Sequence, residues 1–388
     1  MQINSNYNLI ETKKNLELFL VGLGKSGTIS IDTESSGYYS YFSKVCLIQV
    51  TSNGRNYILD PLLGYNIEAL GEIFESKSFL KIFHSASDDI KALKRDFGFS
   101  FQNIADTMYS SKLLGLEHNS LNYLVERYHN VKLSKVEQKS NWEKRPLQKA
   151  QLTYAVLDTA YLESIWENMK SDLSKKNLFD EAHSEFEKIA KEELKIKEAT
   201  PIQWHKFPNI FDYSPMERRN ILDILEFREE KAKKLNRAPF RVINNETIAK
   251  ILKLKSDKEA ILRIAGIKDG TEILRIFSEP AGGPLEKSDV PRDIPDLSNE
   301  EERMFQLLKT WRAKLMKTRN MDHTMAPSNK NLILISKKVP KTAEEIDALG
   351  IFSEWKLVRY TPSLLAAINE MPYDNLIREL PALPRKEK

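Results

Sequence analysis

The stretch Thr28-Ile29-Ser30-Ile31-Asp32-Thr33-Glu34 reads as an apolar strand that ends in two carboxylates. Asp32 and Glu34 lie two apart, so on a strand both side chains point to the same face. Acids this close repel, and each raises the other's pKa unless a cation sits between them. Hard divalent ions such as magnesium or manganese take oxygen ligands, which a carboxylate pair supplies. A solvated strand end beside a turn is the other reading, and the rest of the chain decides between them.

A chain of 388 residues predicts two to three domains. A hydrophobic content of 41% with 29% charged residues fits a soluble globular protein. No apolar run approaches the roughly 20 residues of a membrane helix. Met1-Gln2-Ile3-Asn4-Ser5 shows no basic region followed by an apolar core, so no signal peptide is expected and the cytoplasm is the expected compartment. The single cysteine, Cys46, sits in the apolar run Val45-Cys46-Leu47-Ile48 and reads as a small buried hydrophobe; disulfides and cysteine zinc sites are excluded within one chain. Charge is uneven. Residues 1–190 carry 22 Lys+Arg against 24 Asp+Glu, and residues 191–388 carry 37 against 31, so a slightly acidic front precedes a basic back. That asymmetry suits a carboxylate metal site joined to a module that holds a polyanion.

Outward from the opening strand, residues 8–22 predict a helix with Leu9, Leu16, Leu18, Phe19, Leu20 and Val21 on its apolar side. Gly24-Lys25-Ser26 follows. A phosphate loop needs a glycine at position 19, which is Phe, and it leads into a helix rather than a strand, so this segment is read as a turn. Val45–Thr51 and Asn56–Asp60 flank Asn53-Gly54, a strong hairpin signal, and three antiparallel strands are expected to open the domain. A helix is expected over 67–76 and a fourth strand over Phe79–Phe83. His84 through Ile90 then opens a helix with Ser87 as its cap. Helices dominate from 107 to 195.

Pro201, Pro208 and Pro215 break the pattern, and a second break runs from Glu279 to Pro295. Two helical units stand beyond these breaks. Leu225-Glu226-Phe227-Arg228 followed by Asn236-Arg237-Ala238-Pro239 parallels Leu308-Lys309-Thr310-Trp311-Arg312 followed by His323-Thr324-Met325-Ala326-Pro327, a two-copy repeat of a small helical module. The organisation expected is a mixed α/β domain over 1–195, a linker over 196–214, a helical domain over 215–280, a linker over 281–297, a second helical domain over 298–376, and a basic tail over 377–388 whose last four residues, Arg385-Lys386-Glu387-Lys388, are expected to be mobile.

Two further acids can join the opening pair. Asp89 lies at a helix start after a strand. Asp158 lies four residues after Tyr154, so on a helix the two share a face. Each also has a plain reading: a helix-start charge for Asp89, a core aromatic for Tyr154, a surface acid for Asp158.

Taken as a set, these residues resemble the ribonuclease D family of DEDDy 3′–5′ exonucleases. Asp32-Thr33-Glu34 matches its first motif, His84 through Asp89 its second (His-x-x-x-x-Asp), and Tyr154 through Asp158 its third (Tyr-x-x-x-Asp). Asp106-Thr107, Leu121-Asn122-Tyr123-Leu124 and Trp142-Glu143-Lys144-Arg145-Pro146-Leu147 match intervening signatures. Ser140-Asn141-Trp142 departs from the Ser-Asp-Trp common in the family, at a position that is not a metal ligand. The two helical units resemble HRDC domains, nucleic-acid-binding modules that follow the exonuclease domain.

The resemblance implies a ribonuclease H-like mixed sheet surrounded by helices, followed by two all-α HRDC-like domains. It implies that Asp32, Glu34, Asp89 and Asp158 bind two divalent ions, Mg2+ or Mn2+, and that Tyr154 positions the attacking water. It implies a 3′–5′ exoribonuclease that releases nucleoside 5′-monophosphates from RNA, above all from tRNA precursors. His84 is expected to pack or cap rather than ligate, and Asp106 to hold the fold. Phosphate contacts are expected at Arg228, Lys231, Lys233, Lys234, Arg237 and Arg241 in the first module and at Arg312, Lys314, Lys317 and Arg319 in the second. A DNA exonuclease and a non-catalytic nucleic-acid-binding protein remain as alternatives; neither a membrane nor an obligate protein partner is indicated.

Overall fold

In the computed structural model, which describes residues 6–194, 201–254, 257–265, 267–291 and 296–385, a six-stranded mixed sheet carries the opening carboxylates. Its strands are β1 (Tyr7–Ile10), β2 (Gly27–Ser35), β3 (Val45–Ser52), β4 (Arg55–Leu59), β5 (Phe79–Phe83) and β6 (Ile104–Asp106), in the order β1-β4-β3-β2-β5-β6. Asn53 and Gly54 both have positive φ, 49° and 70°, as a tight two-residue turn between right-twisted strands requires. They close the antiparallel β3–β4 hairpin, in which Val50 faces Tyr57. The three strands expected from the hairpin signal, β2, β3 and β4, lie side by side with β3 and β4 antiparallel, and on its other side β2 pairs parallel to β5, Ser30 opposite Ile82.

The helices of this region are α1 (Lys13–Leu23), α2 (Leu70–Glu75), α3 (Ala86–Phe97), α4 (Thr107–Leu113), α5 (Leu121–His129), α6 (Lys149–Ala160), α7 (Leu162–Lys175) and α8 (Phe179–Lys191). The helix expected from residue 8 begins only at Lys13, because the Thr12 side chain accepts from the Asn15 N–H and caps it there. Tyr7–Ile10 instead forms β1, parallel to β4. Gly24 ends α1 at φ 77°, so the glycine-lysine-serine segment is a turn. Cys46 is fully buried in a small cluster with Leu47, Ile58, Trp142 and the α6 residues Leu152, Ala155 and Val156.

Ser87 does not cap α3; Ser85 occupies the cap position without a side-chain bond. Asp106, at the end of β6, does the work from outside. Its carboxylate accepts from Ser85 N (3.1 Å) and Ala86 N (2.8 Å) at the start of α3, and from Met108 N (2.8 Å) and Tyr109 N (3.0 Å) at the start of α4. One acid thus satisfies the unpaired donors of two helices.

The chain divides into two compact units: residues 1–34, 45–194 and 294–388 form one, and residues 35–44 with 195–293 the other. In the first, the C-terminal helices α14 (Asn299–Arg319), α15 (Asn329–Lys338), α16 (Ala343–Asp347), α17 (Glu354–Ile368) and α18 (Asp374–Arg378) share one contiguous apolar core with the sheet and its helices. The second holds α9 (Pro215–Leu235), α10 (Pro239–Val242), α11 (Asn245–Lys253), α12 (Lys258–Ala265) and α13 (Ile267–Ser278), around Trp204, Phe207, Ile221, Ile224 and Ile248.

The repeat is visible in the caps. Helices α9 and α14 both have 21 residues, a serine capping box (Ser214 with Glu217, Ser298 with Glu301) and a left-handed asparagine at the end (Asn236, Asn320). The stretch that leads into the four basic-tail residues expected to be mobile is packed. Ile377, Leu380 and Leu383 are buried, and Leu383 N donates to the Arg319 carbonyl at 2.7 Å. Residues 386–388, 196–200 and 292–295, parts of the expected tail and linkers, lie outside the described residues.

Candidate active site

Strand β2 delivers Asp32 and Glu34, the first turn of α3 delivers Asp89, and α6 delivers Tyr154 and Asp158. One carboxylate oxygen each from Asp32, Glu34 and Asp158 lies within 4.8 Å of the others. Asp89 is held beside them by Thr33, the residue between the two β2 acids, whose hydroxyl donates to Asp89 Oδ1 at 2.5 Å. The Tyr154 hydroxyl donates to Asp158. Asp88 is exposed whereas Asp89 is half-buried, so the spacing from His84 picks out the inward acid.

These acids share an environment that disfavours charge. Burial, then the carboxyls of Asp89, Asp158 and Glu34, push Asp32 far above the usual range. Burial and the same neighbours raise Glu34 to about 9. Burial raises Asp89 and Asp158 to about 7, against the hydrogen bonds from Thr33 and Tyr154. Burial and Asp158 raise Tyr154, which therefore stays a neutral phenol. Four half-buried carboxyls that hold protons for want of a counter-charge are a set of hard oxygen donors suited to divalent cations.

Two supports fix α6. The capping box of Gln148 and Gln151 starts it. Before it, Arg145 makes a double ion pair with Asp60 (Nε–Oδ2 2.5 Å, Nη2–Oδ1 2.7 Å) and donates to the carbonyls of Trp142 and Cys46. This anchors the Trp142 ring, whose centroid lies 6.1 Å from that of Tyr154.

A cleft of about 550 Å³ opens over the carboxyls, and Lys112, Asn119, Asn122, Lys135 and Gln138 line it. Asn122 falls in the signature Leu121-Asn122-Tyr123-Leu124, whereas no motif spacing marks the other four. His84 lines the same cleft, but its Nδ1 is bonded to the Thr107 hydroxyl at 2.9 Å and burial pushes the imidazole down to about 4, so it is neutral.

The ten basic residues expected at phosphates fare differently. Arg319 is fully buried, paired through both Nη atoms with Glu181 and also bonded to the Tyr360 hydroxyl and the Pro381 carbonyl. It has no face left for a phosphate, which corrects that expectation. Arg228 and Arg312 sit at the same position in α9 and α14, and each ties its helix to the segment after it: Arg228 to Ile243 O and Asn245, Arg312 to Pro327 O. Lys231 pairs with Asp269, Lys314 with Asp374, and Arg241 bonds to Tyr38 O. Lys233, Lys234, Arg237 and Lys317 are exposed.

A family model described as 3′-5′ exonuclease matches residues 7–174, and the HRDC domain model matches residues 301–368, the second helical copy. The chain carries a DEDD-type 3′–5′ exonuclease domain and an HRDC domain. Its curated relatives include Exosome complex exonuclease RRP6 of Saccharomyces cerevisiae, 34% identical over 220 residues, which are 56% of this chain and 30% of that protein. They also include Ribonuclease D of Haemophilus influenzae, 24% identical over 284 residues, 71% of each. The chain spans less than a third of the length of the exosome relative. That branch is not anticipated by the sequence reading and stands beside ribonuclease D. Among solved structures, Escherichia coli RNase D superposes with a TM-score of 0.62 at 19% identity, covering 95% of this chain and 100% of that one. The catalytic core of RRP6 from Trypanosoma brucei gives 0.64 at 22% identity, covering 72% and 80%. These likenesses show the fold. Among the described residues no helix is long and apolar enough to cross a membrane.

Proposed function

We propose that this exonuclease domain is a 3′–5′ exoribonuclease that trims structured RNA, tRNA precursors first, one nucleotide at a time. The observation that carries the reading is the convergence of Asp32, Glu34 and Asp158 oxygens within 4.8 Å beneath an open cleft, with the Tyr154 phenol bonded to Asp158. RNA rather than DNA is supported by the exoribonuclease names of the relatives, E. coli RNase D being described as acting in structured RNA processing.

Two divalent cations, magnesium or manganese, would supply the positive charge that activates the attacking water and stabilises the leaving oxygen. Asp32, Glu34, Asp89 and Asp158 would hold those ions, and Thr33 aims Asp89. Tyr154 donates to Asp158 and orients the water. Water attacks the terminal phosphorus and the P–O3′ bond breaks. The shortened chain keeps a 3′-hydroxyl, and the released nucleotide keeps the 5′-phosphate. Glu34, besides holding metal, meets the terminal 3′-hydroxyl, which confines attack to an end. Lys112 and Lys135 face the phosphates, and the amides of Asn119, Asn122 and Gln138 offer hydrogen bonds to riboses.

The test compares a 3′-extended tRNA with single-stranded RNA and DNA of the same 3′ sequence, each labelled at the 5′ end, in Mg2+ or Mn2+. The proposal predicts stepwise shortening of both RNAs and at least tenfold slower loss of DNA. Shortening of DNA alone would replace the RNA reading with a DNA exonuclease.

A further inference from the structure

We infer that the segment 35–44, which follows Glu34 in the chain, builds with α9 and α10 a stacking surface for unpaired RNA bases. The inference rests on the RNA reading above and adds a binding site to it. Within the second unit the segment is held by its backbone: Tyr39 O accepts from Ala238 N (2.8 Å), Tyr38 O from Arg241 Nε (2.8 Å), and Phe42 N donates to Asn236 Oδ1 (2.9 Å). The Tyr41 hydroxyl bonds to Glu229 at 2.9 Å. The Arg241 guanidinium then lies 3.5 Å from the centroid of the Tyr39 ring and 4.9 Å from that of Tyr38.

That clasp explains why the segment is fixed. It still leaves part of three ring surfaces exposed. Tyr38 is 39% exposed, Phe240 43% and Phe42 56%. Tyr38 and Phe240 sit with centroids 5.0 Å apart, so their exposed surface is continuous. Rigid aromatic faces presented to water beside a stacked guanidinium are the chemistry that receives bases, because every base offers a π-face. Lys233 and Lys234 in the last turn of α9 and Arg237 just after it, three residues before Phe240, are exposed. Aromatic faces edged by cations select a chain with alternating bases and phosphates whose bases are unstacked. The occupant is therefore single-stranded RNA rather than a duplex or an apolar protein face.

The test measures fluorescence anisotropy of labelled oligoadenylate and of an abasic oligoribose phosphate of equal length. The protein is the full chain with Asp32→Asn, which blocks degradation during titration. Tyr38→Ala with Phe240→Ala should weaken oligoadenylate binding about ten- to a hundredfold and leave the salt slope unchanged. Lys233→Ala, Lys234→Ala and Arg237→Ala together should weaken binding and flatten the slope. Tyr38→Phe with Phe240→Tyr, which keeps both rings, should bind as the parent does and so separates stacking from misfolding. Parental affinity in the double alanine variant, or an abasic probe bound as tightly as oligoadenylate, overturns the inference. In that event trimming of RNA by the wild-type chain still stands; a wild-type chain that neither binds nor trims RNA removes both readings.

Discussion

The four carboxyls of the cleft are raised by burial and by one another, and this has a consequence before any substrate arrives. In the unfolded chain such acids titrate near ~4. Folded, Asp89 and Asp158 titrate at about 7 and Glu34 at about 9. Their contribution to stability is full below the unfolded values and is lost as pH rises through the folded ones. The metal-free chain should therefore melt lower at pH 9 than at pH 5.5, by on the order of 5 °C, and Mg2+ or Mn2+ should restore the difference increasingly as pH rises. Thermal melts with chelator and with metal check this; a metal-free melt that rises with pH would contradict it. The acids themselves were legible because their spacings are local, two along a strand and four along a helix. Lys112, Asn119, Lys135 and Gln138 were not, since only the folded cleft brings them together.

Among the elements, those governed by neighbouring residues could be read directly and those governed by distant pairing could not. Asn53-Gly54 specifies its hairpin, and Ser214 and Ser298 specify the starts of α9 and α14. Strand β1 has four residues whose partner in β4 lies almost fifty positions away, and β6 has three, so neither leaves a periodic signal. Arg145 shows the same limit. Its signature marks it without saying what it does, and only the fold shows that its guanidinium holds Asp60 and backbone carbonyls. Arg145→Lys keeps the charge but cannot make the forked pair. It should loosen the segment before α6 and slow hydrolysis at least tenfold with little change in RNA affinity. Equal kcat in Arg145→Lys and wild type, measured on the 3′-extended tRNA, would remove this positioning role.

Across the first unit, the HRDC domain is tied to the exonuclease domain by groups taken out of water. Arg319 and Glu181 are both 0% exposed and face each other at 2.7 Å, while Lys356 pairs with Glu185 at 3.0 Å. A broken buried pair costs more than an absent one. Arg319→Ala should destabilise the chain by ~3–5 kcal/mol, whereas Arg319→Met with Glu181→Leu should cost far less. Denaturant melts of both variants decide, and equal losses would show that the pair is not the tie. Nothing local to α14 separates buried Arg319 from exposed Lys317 two residues earlier; a partner 138 positions away does.

The measurement to make first uses a 3′-extended tRNA labelled at its 5′ end, with magnesium, and compares wild type, Asp32→Asn and Tyr154→Phe. A ladder shortened one nucleotide at a time is predicted for wild type, abolished by chelator and by Asp32→Asn, and slowed at least ~100-fold in Tyr154→Phe. Wild-type rates in Asp32→Asn, or tight binding of the RNA by the wild-type chain with its 3′ end left intact, would contradict the carboxylate-centred exonuclease.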